Sequence, residues 1–152
     1  MRILADTNIV ARLAQPAHAH HRAALAATEI LLARNDDPCV VPQVLYEFWV
    51  IATKPTSANG LAMPVTQART EIEKAKLVFT LLRDERAIFD QWERLVAQHD
   101  VKGKNAHDAR LVAAMNRHGL THLLTFNSQD FVRYPGITVL TPEQVAAQAE
   151  PS

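Results

Sequence analysis

A chain of 152 residues with 48% hydrophobic and 21% charged residues falls within ordinary globular composition, which argues against disorder and against a coiled coil. Lysine plus arginine equals aspartate plus glutamate, so the formal net charge is zero. A nucleic-acid partner therefore gets no help from the global field and needs a local cluster of cations or bridging metal ions.

The length fits one domain able to bury its core without a disulfide or structural metal. Cys39 is the single cysteine, and its apolar setting in "PCVV" reads as a small buried side chain in a reducing compartment. With no apolar stretch long enough to span a bilayer and no signal-peptide pattern, the expected location is the cytoplasm.

In chain order, "RILA", "PCVV", "HLLTF" and "GITVL" are short apolar runs bounded by turn or cap signals, the pattern of strands covered on both faces. Helical patterning occupies 18–34, 42–54 from Pro42, 64–79 from Pro64, 85–99, and 105–118 before Gly119. Thr141-Pro142-Glu143-Gln144 starts a last short helix, with Gln144 placed to close a capping box. Strands alternating with helices predict an α/β fold, a three-layer α/β/α sandwich around a mainly parallel sheet. "KPTSANGLAMP" is the clearest loop, and the helices after it, around 64–99, look like an insertion. Residues 1–149 form one domain, with 150–152 a frayed tail.

Four acids sit where a core would not choose them. Asp6 breaks the opening apolar run in "MRILADTNIV" and serves either as a helix cap or as the first piece of a site. Glu47 lies in "PQVLYEFWVIATK", a helix apolar nearly all round and so expected to be buried nearly all round. A carboxylate there needs a cation, a proton or a gap to solvent. Asp108, in "KNAHDARLVAAM", heads the stripe of Leu111, Val112 and Met115, although a cap by Asn105 explains an acid in the first turn equally well. In "LLTFNSQDF", Asn127 and Asp130 follow a strand and suit either a cap or a site. Asp6, Asn127 and Asp130 all follow strands, and in an open parallel sheet such ends open on one crevice, which the helices of Glu47 and Asp108 can border. Carboxylates gathered there raise one another's pKa unless divalent cations such as Mg²⁺ or Mn²⁺ compensate. The chemistry that follows is phosphodiester hydrolysis.

The ordered set Asp6-Thr7-Asn8, Glu47, "HDARLVAA" around Asp108, and "LLTFNSQDF" leading to "PGITVL" resembles the PIN-domain ribonucleases, among them the bacterial VapC-type toxins and their stand-alone relatives. The resemblance runs from Arg2 to about Val145. It implies a PIN-like fold, a site of Asp6, Glu47 and Asp108 with Asp130 as the fourth acid, and support from Thr7 and Asn8. It also implies Mg²⁺ or Mn²⁺, RNA as substrate, a homodimer and an antitoxin partner. Many members carry an acid where this chain has Asn127, so either Asn127 or Asp130 completes the set. Cleavage of single-stranded or loop RNA is thus expected; a non-catalytic module binding RNA or protein is the competing expectation.

Other signals are weaker. The four glycines are scattered and form no phosphate-cradling loop. A phosphorylated receiver domain needs paired acids after the first strand and a lysine after the last crevice strand, and this sequence has neither. His107 is left without a role. "HAHH" at His18, His20 and His21 is irregular for a metal site and reads as the lead-in to a solvated helix. Lys104, Arg110 and Arg133 are the cations expected to line an RNA path, with Lys54, Lys102 and Arg117 behind them. Aromatic residues are too few to show a stacking platform.

Overall fold

The computed structural model describes residues 1–149, so the expected frayed tail at 150–152 lies outside the described residues. Five parallel strands form one sheet: β1 (Arg2–Ala5), β2 (Asp37–Val40), β3 (Thr80–Leu81), β4 (His122–Leu124) and β5 (Thr138–Leu140), in the order β3-β2-β1-β4-β5. Among the described residues seven α-helices connect and follow them: α1 (Thr7–Leu13), α2 (His21–Ala33), α3 (Pro42–Thr53), α4 (Val65–Val78), α5 (Arg86–Gln98), α6 (Asn105–His118) and α7 (Pro142–Ala149). From β1 the chain steps through β2 to β3, then crosses back to β4 on the other side of β1 and on to β5. Right-handed crossovers in opposite directions put α1–α4 and α5–α6 on opposite faces, the three expected layers.

The sheet's interior explains its apolar runs. Ile3, Leu4 and Ala5 of β1 pair with Pro38 and Cys39 on one side and with Leu123 and Leu124 on the other, and all are buried. Leu4 and Leu123 stand side by side at the centre, with Ile9 of α1, Phe48 of α3 and Leu111 and Met115 of α6 among the fully buried side chains. Cys39 is buried, as its setting suggested.

Several expectations need correcting. The region around 64–99 is not purely a helical insertion, because Thr80 and Leu81 between α4 and α5 form the edge strand β3 beside Cys39 and Val40. The segment 18–34 begins later, at His21, after the separate short helix α1. Helix α3 is not buried all round: Tyr46 and Val50 are 64% and 56% exposed, so one side of it opens to solvent. Lys104, not Asn105, holds the N-cap position of α6, and no side chain caps that end. The capping box at α7 is present, with Gln144 N–H donating to Thr141 Oγ1 at 3.2 Å and Thr141 N–H to Gln144 Oε1 at 2.9 Å.

The "KPTSANGLAMP" loop is an ordered stop for α3. The N–H groups of Leu61, Ala62 and Met63 donate to the carbonyls of Ile51, Lys54 and Ala52, satisfying acceptors that a helix end leaves free. Gly60 permits this fold-back, since a Cβ there would stand 2.0 Å from the Lys54 carbonyl oxygen.

Candidate active site: an acidic cleft at the switch point

Strands β1 and β4 are neighbours whose onward connections run in opposite directions, and in open α/β sheets the crevice beyond such a pair is where ligands bind. Asp6 follows β1 and donates its N–H to the Leu124 carbonyl at 2.9 Å, so the two strands are still joined where the site begins. Thr125, Phe126 and Asn127 leave β4 beside it. A cleft of about 490 Å³ opens here, with Asp6, Glu47, Asp108, Asp130, Asn127, Thr7 and Asn8 on its walls. The structure thus brings together all four acids and the three supporting residues singled out in the sequence.

Asp6 answers both of its readings. It is the N-cap residue of α1, its Oδ1 accepting from Thr7 N–H at 2.7 Å, and its Oδ2 accepts from Thr125 Oγ1 at 2.8 Å. Only 8% exposed, it nevertheless lines the cleft. Burial raises its pKa to about 6 against the two hydrogen bonds, and the charges of Glu47 and Asp130 add to the rise.

Glu47 is held without a cation. Its Oε2 accepts from Thr7 Oγ1 at 2.6 Å and its Oε1 from Gln43 Nε2 at 2.8 Å. The cleft takes in Val50 and Ile51 from the same face of α3. Gln43, 6% exposed, also donates to the His107 carbonyl at 2.8 Å and accepts from Arg110 Nη1 at 3.0 Å. One glutamine therefore ties Glu47 on α3 to the first turn of α6, where Asp108 sits. His107 contributes this carbonyl.

Asp108 is half-buried, and its pKa also rises to about 6, through burial first and then the charges of Asp6, Asp130 and Glu47. Asp130 occupies the first turn of a 3-10 helix, Ser128–Phe131, and is exposed. The mutual repulsion written into these shifts is the signature of carboxylates sharing one space.

Two residues missed in the sequence, Gln43 and Thr125, organise the cleft. Thr125, fully buried, donates to Asp6 and accepts from Asn8 Nδ2 and from Asn127 N–H, both at 3.0 Å. Asn8 in turn accepts from Phe126 N–H through its Oδ1 at 3.3 Å. Their signals were a hydroxyl in an apolar strand and an amide one helical turn before Glu47, features that many cores share.

The predicted RNA-path cations are not on the cleft walls. Arg110 pairs with Asp84 at 3.2 Å and with Gln43, while Lys104 and Arg133 are exposed away from the lining. Arg117 pairs with Glu85. Among the described residues, Arg12 is the one cation lining the cleft, and it was not singled out in the sequence.

An oxygen-rich donor set in which, among the described residues, no lysine or arginine is bonded to any of the four acids fits a hard divalent cation. Among the described residues no three acidic or other ligand side chains are already gathered tightly around one point.

No family model matches the chain, and no curated protein matches it in sequence. Solved structures do match. A chain of VapBC2 from Rickettsia felis, solved bound to a promoter DNA fragment, superposes with a TM-score of 0.70 at 16% identity, over 93% of this chain and 98% of that one. A toxin–antitoxin complex from Klebsiella pneumoniae matches with a TM-score of 0.63 at 24% identity, over 92% of this chain and 97% of that one. VapC20 from Mycobacterium tuberculosis, described as a sarcin-ricin loop cleaving toxin, matches with a TM-score of 0.57 at 20% identity, over 80% and 86%.

Proposed function

We propose that this chain, which has the PIN-like fold of VapC-type toxins, is a Mg²⁺- or Mn²⁺-dependent ribonuclease and the toxin of a type II toxin–antitoxin pair. The observation that carries the reading is the convergence of Asp6, Glu47, Asp108 and Asp130 on one cleft at the sheet's switch point, with no cation paired to them. The sequence resemblance and the toxin–antitoxin structures of the same fold support it.

In this reading Asp6, Glu47 and Asp108 would hold the ion, with Asp130 orienting water or a second ion. When bound, the ion supplies a nucleophilic water and charge stabilisation for phosphodiester hydrolysis. The chain's own part is positional. Thr7 and Gln43 fix both oxygens of Glu47, while Thr125 and the Thr7 N–H fix both oxygens of Asp6, so neither carboxylate needs to reorganise when RNA arrives. Asn127 offers an amide on the cleft wall, where the family resemblance implies an acid. The partners proposed with this reading are RNA, a cognate antitoxin and a second copy of the chain, and the compartment is the cytoplasm. No helix among the described residues is long and apolar enough to cross a membrane.

Incubation of the purified protein with total RNA and Mn²⁺ or Mg²⁺, beside a chelator control and the Asp108→Asn variant, tests the proposal. Discrete cuts lost with chelator and in the variant are expected. A folded protein silent with both metals would sink the nuclease reading in favour of a non-catalytic module.

A further inference from the structure

The histidines of "HAHH" gather beside the acidic cleft. His20, exposed at the N-cap of α2, lies with its ring stacked on Phe126, centroids 4.8 Å apart and planes 16° from parallel. His18 adds a third ring, 5.4 Å from His20 and tilted by 57°, and its Nδ1 accepts from the His20 N–H at 3.0 Å. His21 Nδ1 lies 2.8 Å from the Arg12 carbonyl and so fastens this corner to α1. Phe126 is the residue between Thr125, which holds Asp6, and Asn127, which lines the cleft. Its own N–H is held by Asn8.

Nothing in the core explains an exposed imidazole lying flat on a half-buried phenyl ring. Core packing needs neither His20 nor a polar ring in that orientation. An accessible aromatic stack one residue from a hydrolytic cleft, with Arg12 on the wall beside it, is instead the arrangement that receives an unpaired base while the backbone passes the acids. We infer that the His20–Phe126 stack is a nucleobase subsite of the same cleft, taking one unstacked base of single-stranded RNA close to the scissile phosphate. The inference rests on the ribonuclease reading for its substrate. The ring it adds to Phe126 is a histidine, which a count of Phe, Trp and Tyr does not include.

The test uses His20→Ala, His20→Tyr and His20→Lys, each made in the full chain and again on Asp108→Asn so that RNA stays intact. Binding of a fluorescein-labelled single-stranded 12-mer ribonucleotide of mixed sequence is followed by anisotropy in Mg²⁺, and KM and kcat are measured for the variants without Asp108→Asn. Base–aromatic stacking predicts that His20→Ala weakens binding about 5-fold or more and raises KM more than it lowers kcat. Tyrosine, flat but uncharged, restores affinity; lysine, charged but not flat, does not. Wild-type affinity in His20→Ala overturns the inference, as does rescue by lysine and not tyrosine, which would mark a phosphate contact. Failure of the parent protein to bind RNA overturns it as well. Binding that depends on His20 without any cleavage would leave the subsite standing and sink the nuclease reading instead.

Discussion

At the residue scale, the acids are stabilised as parts of a site at some expense to the fold. Asp6 has an ordinary pKa of 3.8 and one of about 6 in the folded protein, so at pH 7 the fold holds a charge that burial and its neighbours disfavour. Asp6→Asn is therefore expected to raise stability at pH 7, by about 1 kcal/mol once the weaker hydrogen bonds of the amide are allowed for, and to abolish cleavage. Thermal unfolding beside an RNA cleavage assay checks both; a lower melting temperature would mean that the capping bond outweighs the relieved charge. Thr125 acts in the opposite sense. Thr125→Val removes one donor and one acceptor serving three partners in a fully buried place, and should cost about 1–3 kcal/mol together with most of the activity. Thr125→Ser keeps the hydroxyl and should retain most of both, which separates the network from the methyl group's packing.

At the scale of elements, legibility followed length and periodicity. Helix α6 is legible in the sequence at its bounds and α3, α4 and α5 within a residue at each end, because each carries several turns of apolar spacing, and α3, α4 and α6 are also marked by a proline or glycine. Strand β3 was not legible, since two residues cannot show an alternation, and their pairing with Cys39 and Val40 is a property of the sheet. The acids were legible through their misfit with apolar surroundings. Gln43 and Thr125 were not, because a buried amide or hydroxyl becomes conspicuous only once its partners are known. The loop after α3 was recognised as a loop, but its role in closing the helix that carries Glu47 was not. Gly60→Ala tests that role: the new methyl meets the Lys54 carbonyl, so the fold-back must open, with a loss of about 2 kcal/mol or more and a fall in activity as α3 frays toward Glu47. Urea unfolding with an RNA cleavage assay measures both, and an unchanged midpoint would show that the loop shifts freely.

At the scale of the whole molecule, the cleft sets how stability answers pH and, on the proposed reading, metal. Asp6 and Asp108 both titrate near 6 in the fold and near 3.8 when unfolded. Between these values the folded state holds more protons than the unfolded chain, so their contribution is fully present below about pH 4 and is lost as pH rises through about 6. Without metal, the melting temperature should therefore gain from these two groups as pH falls from 7 toward 5. Saturating Mn²⁺ should raise the melting temperature at pH 7 and do so less at pH 5, where protons compete for the same carboxylates. Calorimetry at both pH values with and without Mn²⁺ decides it; an equal rise at both, or none, would place the ion elsewhere.

The strand order carries one more consequence, for the protein as it is being made. The acids come from positions 6, 47, 108 and 130, and the bond that seats Asp6 reaches from β1 to Leu124 of β4, a strand synthesised more than a hundred residues later. Until β4 and the turn after it have emerged and docked beside β1, that edge of β1 lacks its neighbour, and neither Thr125 nor Asp130 has arrived. A ribosome that has not yet released Thr125 and Asp130 thus holds no assembled cleft, however much of β1 and α3 has already emerged.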